Sequence, residues 1–109
     1  MNVLYEDNHL LAVEKPYGVP SQADETGDND MLSLCKAYIK QKYNKPGNVY
    51  LGMVHRLDRP TGGVMVFART SKAAARLAAQ MKSGEFEKTY LAVLTAAPPE
   101  REGTLVHWL

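Results

Sequence analysis

The chain has 109 residues, 45% of them apolar, with one cysteine and a formal net charge of +1. That length suits one domain with a modest core. Cys35 alone cannot form an internal disulfide, which fits a reducing, cytoplasmic setting, and no apolar run approaches the roughly 18–20 residues of a membrane span. A nearly balanced charge excludes a strong global field, so any nucleic-acid partner has to be met by a local basic patch. The opening "MNVLYEDNHLLAVEKP" is acidic where a secretory leader is basic and then apolar, and it reads as mature structure.

In chain order, "NVLY" at 2–5 and "HLLAVE" at 9–14 are predicted strands joined by the polar turn "EDN". "KPYGVPSQADETGDND" at 15–30 has no apolar periodicity; it is either a functional loop or a solvated connection. Asp30 is placed to cap a helix over "MLSLCKAYIKQKYN", with Met31, Leu34, Cys35, Tyr38 and Ile39 as its apolar stripe. Lys36, Lys40 and Lys42 fall off that stripe, on a solvated or RNA-facing side, and "KPGN" at 45–48 ends the helix. "VYLGMV" at 49–54 and "VMVFAR" at 64–69 are predicted strands on either side of a polar turn. Thr70 or Ser71 caps a second helix, "KAAARLAAQMKS", whose small stripe of Ala74, Leu77, Ala78 and Met81 suits close packing on a sheet, and Gly84 stops it. "FEKTYLAVLTA" at 86–96 is a predicted strand, "PPEREG" a polar turn, and "TLVHWL" the start of another strand. Ending on an apolar, β-prone segment suggests the first part of something longer, and unpaired strand edges invite self-association.

The chemistry is concentrated in "MVHRLDRPTGGVMVF", residues 53–67. A strand delivers Asp58, Pro60 fixes the backbone behind it, and Gly62 and Gly63 permit a turn that aims a side chain outward. Arg56 and Arg59 flank the carboxylate and favour its ionised form. An ionised Asp serves as nucleophile, base or metal ligand. A metal site would want further acidic or His ligands, and only His55 is near in sequence. An aspartyl phosphohydrolase would need a companion carboxylate for Mg²⁺, and none adjoins. Charge and spacing alone favour an ordinary ion-paired turn over a catalytic one.

"HRLDRPTGG" resembles the H-R-L-D-x-x-T-[SG]-G signature of the RluA-type pseudouridine synthases. "LLAVEKPYGVPSQ" resembles that family's opening strand and K-P-x-G turn, and "EKTYLAVL" its later K-x-Y-x-A-x-V segment, all in family order across nearly the whole chain. The resemblance implies an α/β fold of the α+β type, residues 1–109 forming the N-terminal portion of a catalytic domain with a mixed, largely antiparallel sheet and packed helices. The segment pattern agrees. It also implies an RNA-modifying isomerase that turns uridine into pseudouridine in rRNA or tRNA, without cofactor or metal. Asp58 would be the catalytic carboxylate and Tyr90 the aromatic packed on the target uracil. Arg56 would enter the RNA stack, with His55, Arg59 and Lys15 beside the substrate and Pro60, Thr61, Gly62 and Gly63 shaping the turn. Each has a structural alternative: an ordinary strand tyrosine for Tyr90, an ion pair to Asp58 for Arg56, a strand-ending turn for Lys15.

The family's catalytic domains run on to an H-Q-I-R-type segment whose basic residue pairs with the catalytic Asp. Nothing here matches it, and no S4-type RNA-binding module is present. The isolated chain is therefore expected to be weak or inactive as an enzyme. The alternative is a non-catalytic RNA-binding module of the same fold. His9, His107 and Cys35 read as structural residues.

Overall fold

The computed structural model describes residues 1–97 and 101–104. Within them, β1 (Asn2–Glu6), β2 (Leu10–Lys15), β3 (Gly52–Met53) and β4 (Gly63–Ala68) form a single sheet in the order β1-β2-β4-β3. Every neighbouring pair is antiparallel. Asp7 shapes the β1–β2 turn, its Oδ1 accepting the N–H groups of His9 and Leu10 at 2.7 Å each. β2 and β4 hold the centre, in register from Leu10↔Ala68 to Lys15↔Gly63. Side chains alternate across a strand. Leu11 and Val13 therefore share one face with Met65 and Phe67, all fully buried, while Leu10, Ala12, Val64, Val66 and Ala68 fall on the other.

One helix covers each face. On the first lies α1 (Met31–Lys42), which buries Met31, Cys35 and Ile39 at four-residue intervals. The Asp30 carboxylate caps it by accepting the Ser33 N–H at 3.0 Å. Leu34 stays exposed, so the buried stripe is narrower than the sequence suggests. Cys35 is a core residue, and burial pushes its thiol up to about 12. The second face receives α2 (Ser71–Ser83), capped by Thr70 and stopped at Gly84 in the left-handed conformation. Ala73 and Leu77 pack there against Ala68, while Ala78 is exposed. Lys42 lies on the solvated side, as expected, and its ammonium pairs there with Glu6 at 3.0 Å, alongside the Tyr38 and Tyr43 hydroxyls.

Two sequence expectations change. The strand foreseen over 49–54 shrinks to Gly52–Met53. No strand forms over 86–96, where Tyr90, Leu91, Val93 and Leu94 are exposed. Alternation and β-branching supply propensity only, and a strand exists through its hydrogen-bonded neighbour; among the described residues this segment has none. The strand expected at 104–109 and His107 fall beyond Thr104, outside the described residues, as do Pro98–Glu100 of the "PPEREG" turn.

Candidate active site

Asp58 stands in the connection between β3 and β4, and the backbone around it is gripped at each peptide. Leu57, just before it, is 7% exposed and belongs to the main core, an anchor worth about 2 kcal/mol of apolar burial. Its N–H donates to the Ser21 hydroxyl at 3.0 Å, and that hydroxyl donates to the Leu57 carbonyl at 2.5 Å. Ser21 is itself buried, and its own carbonyl and that of Pro20 accept the Leu32 and Met31 N–H groups at the start of α1. One serine thus ties the core helix to the residue preceding Asp58.

On the far side, the Arg59 carbonyl accepts from the Gly18 N–H and from the Lys15 ammonium, both at 2.9 Å. The Thr61 N–H closes the turn onto the Asp58 carbonyl at 2.8 Å. Gly62 is favoured by proximity, since a Cβ there would stand 3.3 Å from the Lys15 carbonyl oxygen and the backbone would have to give way slightly. Gly63 takes φ +148°, a conformation L-residues rarely adopt, as the chain re-enters β4.

His55 explains why β3 is short. Its Nε2 accepts the Val66 N–H at 3.0 Å, the β4 donor next along from the Met53↔Phe67 pair. With that donor satisfied by a side chain, the backbone is free to leave the sheet and form the Asp58 turn. Burial, with the Lys88 ammonium nearby, pushes the half-buried imidazole down, so the ring is neutral near pH 7 with its proton on Nδ1. The ring also packs against Phe86, centroids 5.6 Å apart.

The arginines do not form the ion-paired turn that the sequence allows. Arg59 binds Asp24 at 2.7 Å and Asp28 at 3.0 Å, and donates to Thr26 at 2.9 Å. Its cation is thereby spent on the 15–30 loop, which is neither a free connection nor uniformly solvated. Arg56 is exposed, and among the described residues Asp58 has no salt bridge. Lys15, expected beside the substrate, is fully buried with its ammonium on the Arg59 and Pro16 carbonyls. Burial and the Arg59 charge lower its pKa, and the Asp58 carboxylate opposes them. Its place is that of a brace beneath the turn.

An open cleft of about 430 Å³ runs along the turn and the end of the sheet face that α2 leaves uncovered. His55, Leu57, Thr61, Gly62, Gly63, Val64 and Val66 form one wall, and Phe86 to Leu91, including Tyr90, the other. Leu57 and Thr61 in that wall bracket the exposed Asp58 in sequence. The structure therefore brings His55, Leu57, Thr61, Gly62 and Gly63 of the signature to one cleft with Tyr90, although Tyr90 is not on a strand; Arg56, Asp58 and Arg59 are not among the residues that line it. Ser21 and Phe86 were missed by sequence reasoning. Ser21 gave no signal, because its partner lies 36 residues away; Phe86 was hidden inside a presumed strand.

The RNA pseudouridylate synthase family profile matches residues 9–109. Ribosomal large subunit pseudouridine synthase D of Xanthomonas campestris pv. campestris is 38% identical over 89% of this chain and 29% of its own length. Mitochondrial pseudouridylate synthase RPUSD4 of Xenopus tropicalis is 35% identical over 94% of this chain and 32% of its own. Among solved structures, human RNA pseudouridylate synthase domain containing 4 superposes with a TM-score of 0.65 at 25% identity, covering 77% of this chain and 30% of that one. The chain thus spans roughly a third of the length of the curated relatives it matches. An antiparallel sheet between two helices, a braced aspartate turn and a match across most of its length make this chain a member of the RNA pseudouridylate synthase family.

Proposed function

We propose that the protein isomerises uridine to pseudouridine in RNA, with Asp58 as the catalytic carboxylate. The N1–C1′ bond breaks, the base turns, and a C5–C1′ bond forms; C5 loses its proton and N1 gains one, with no net oxidation. Asp58 acts at the glycosidic bond, whether on the sugar, on the base or on a ribose proton, and each route needs an ionised carboxylate held still. Tyr90 offers the uracil an aromatic face, and the exposed Arg56 serves the RNA strand. The observation that carries this reading is the braced turn: five hydrogen bonds to backbone groups and one buried leucine hold the peptides around an aspartate whose carboxylate is left exposed. A residue needed only for stability has no use for such a mount. Relatives named for the ribosomal large subunit favour rRNA over tRNA as the substrate.

With no cation paired to Asp58 among the described residues, turnover by residues 1–109 alone is expected to be slow. Tritium release from RNA labelled at uracil C5 tests the assignment. Asp58→Asn should abolish release with little change in the melting temperature, since the exposed carboxylate has no salt bridge among the described residues and its remaining action is a charge effect on Lys15. Full turnover by that variant would refute the role, and RNA binding without any turnover by the unaltered protein would favour a non-catalytic RNA-binding module.

A further inference from the structure

The turn after β2 carries an aromatic ring that the proposed chemistry does not use. Tyr17 is 79% exposed, more than any other described tyrosine. Leaving so large an apolar ring in water forgoes substantial burial. The other exposed tyrosines outside the cleft are occupied. The Tyr5 hydroxyl donates to Asp7 at 2.6 Å, Tyr43 is bonded to Glu6 beneath the Arg69 guanidinium, and the Tyr50 hydroxyl lies against Gly52. Tyr17 has no comparable partner among the described residues.

Its backbone, in contrast, is fixed. The buried Lys15 precedes it, the Gly18 N–H is bonded to the Arg59 carbonyl at 2.9 Å, and its own nitrogen lies 3.5 Å from where a Cβ on Gly62 would stand. Arg59 lies inside the Asp58–Thr61 turn, which the Thr61 N–H closes on the Asp58 carbonyl, and Gly62 follows that turn directly. The Tyr17 backbone is therefore held against the segment that carries Asp58, while its exposed ring stands outside the cleft wall that holds Tyr90.

We infer that Tyr17 is a stacking platform for the RNA base next to the target uridine. The inference rests on the RNA reading above and adds a second aromatic contact to it. A tyrosine has only two side-chain torsions to order on contact, and stacking accepts any base because every base has a π-face. The contact therefore adds affinity and orients the strand without reading its sequence.

Single-stranded RNA oligonucleotides with one uridine, and 2-aminopurine on its 5′ or 3′ side, provide the test. Tyr17→Ala should weaken binding by about 5- to 100-fold and remove the quenching of one flanking 2-aminopurine. Tyr17→Phe should keep both, and all three proteins should melt together. Unchanged affinity and quenching in Tyr17→Ala would overturn the platform while leaving the RNA reading intact. Equal losses in the Phe and Ala variants would assign the effect to the hydroxyl and also overturn it. Failure of the unaltered protein to bind any of these RNAs would overturn the RNA reading, and the platform with it.

Discussion

Replacing Ser21 by alanine removes a single oxygen and strikes two backbone groups at once. The Leu57 N–H and carbonyl both rely on that hydroxyl, at 3.0 and 2.5 Å, in a place where Ser21 is 5% and Leu57 7% exposed. A buried group left without its partner costs roughly 1–3 kcal/mol. Two such groups, with some relaxation of the loop, give an expected loss of about 2–3 kcal/mol. Set against the 5–15 kcal/mol typical of a domain, that is a large share, and it corresponds to a melting decrease on the order of 10–15 °C. Urea titration followed by far-ultraviolet circular dichroism should show a lower midpoint at unchanged slope. Because Leu57 adjoins Asp58, the variant should also lose turnover by a larger factor than it loses RNA affinity. A destabilisation under about 0.5 kcal/mol would mean that the hydroxyl does not hold the turn, and the account of how Asp58 is mounted would fail.

Two further outcomes follow from other parts of the fold. Burial pushes the Glu6 carboxyl up, but donors from Tyr38, Tyr43 and Lys42 outweigh it and hold the group at about 2. A carboxyl depressed in the folded state adds stability that is complete above its unfolded value near 4.5 and is lost as the pH falls towards 2. The difference bounds that contribution at roughly 3 kcal/mol, and the network's contact with solvent brings the expectation to about 2. Glu6→Gln should therefore be less stable at neutral pH, with the gap closing between pH 4.5 and 2; parallel acid-unfolding curves would contradict the network. Asp7 and Asp24, also near 2, titrate in both proteins and cancel in the comparison. Gly62→Ala should cost about 1–2 kcal/mol, because its methyl would meet Lys15 backbone rather than a side chain able to swing away; calorimetry showing no change would indicate that the β2 end moves freely.

What could be read in the sequence was local. The Asp30 and Thr70 caps, the Gly84 stop, both helices and the central strands rest on signals spaced within a turn or two, and each is present. What could not be read was pairing at a distance. Lys15 was expected beside the substrate or in a plain strand-ending turn, and its bond to a carbonyl 44 residues on could not be foreseen. Arg59 looked like a partner for Asp58, but acidic residues more than 30 positions earlier take it. The segment 86–96 has a strand's composition without a strand's neighbour. The Asp58 turn itself was legible because its glycines and proline announce backbone geometry directly. The side chains that brace it were not, because a buried serine looks like any other loop serine.

The two-residue length of β3 has a consequence for recognition. By taking the Val66 N–H, His55 pins the point where the chain departs from the sheet, just as the Gly62–Gly63 corner pins the point of return. The segment between them has its ends fixed while the protein folds. Little entropy is then left for a ligand of this turn to remove, beyond the rotamers of Arg56 and Asp58 themselves. Ordering the loop is charged to folding, and under the proposed function the binding energy of an RNA would remain for turning a nucleotide out of its stack.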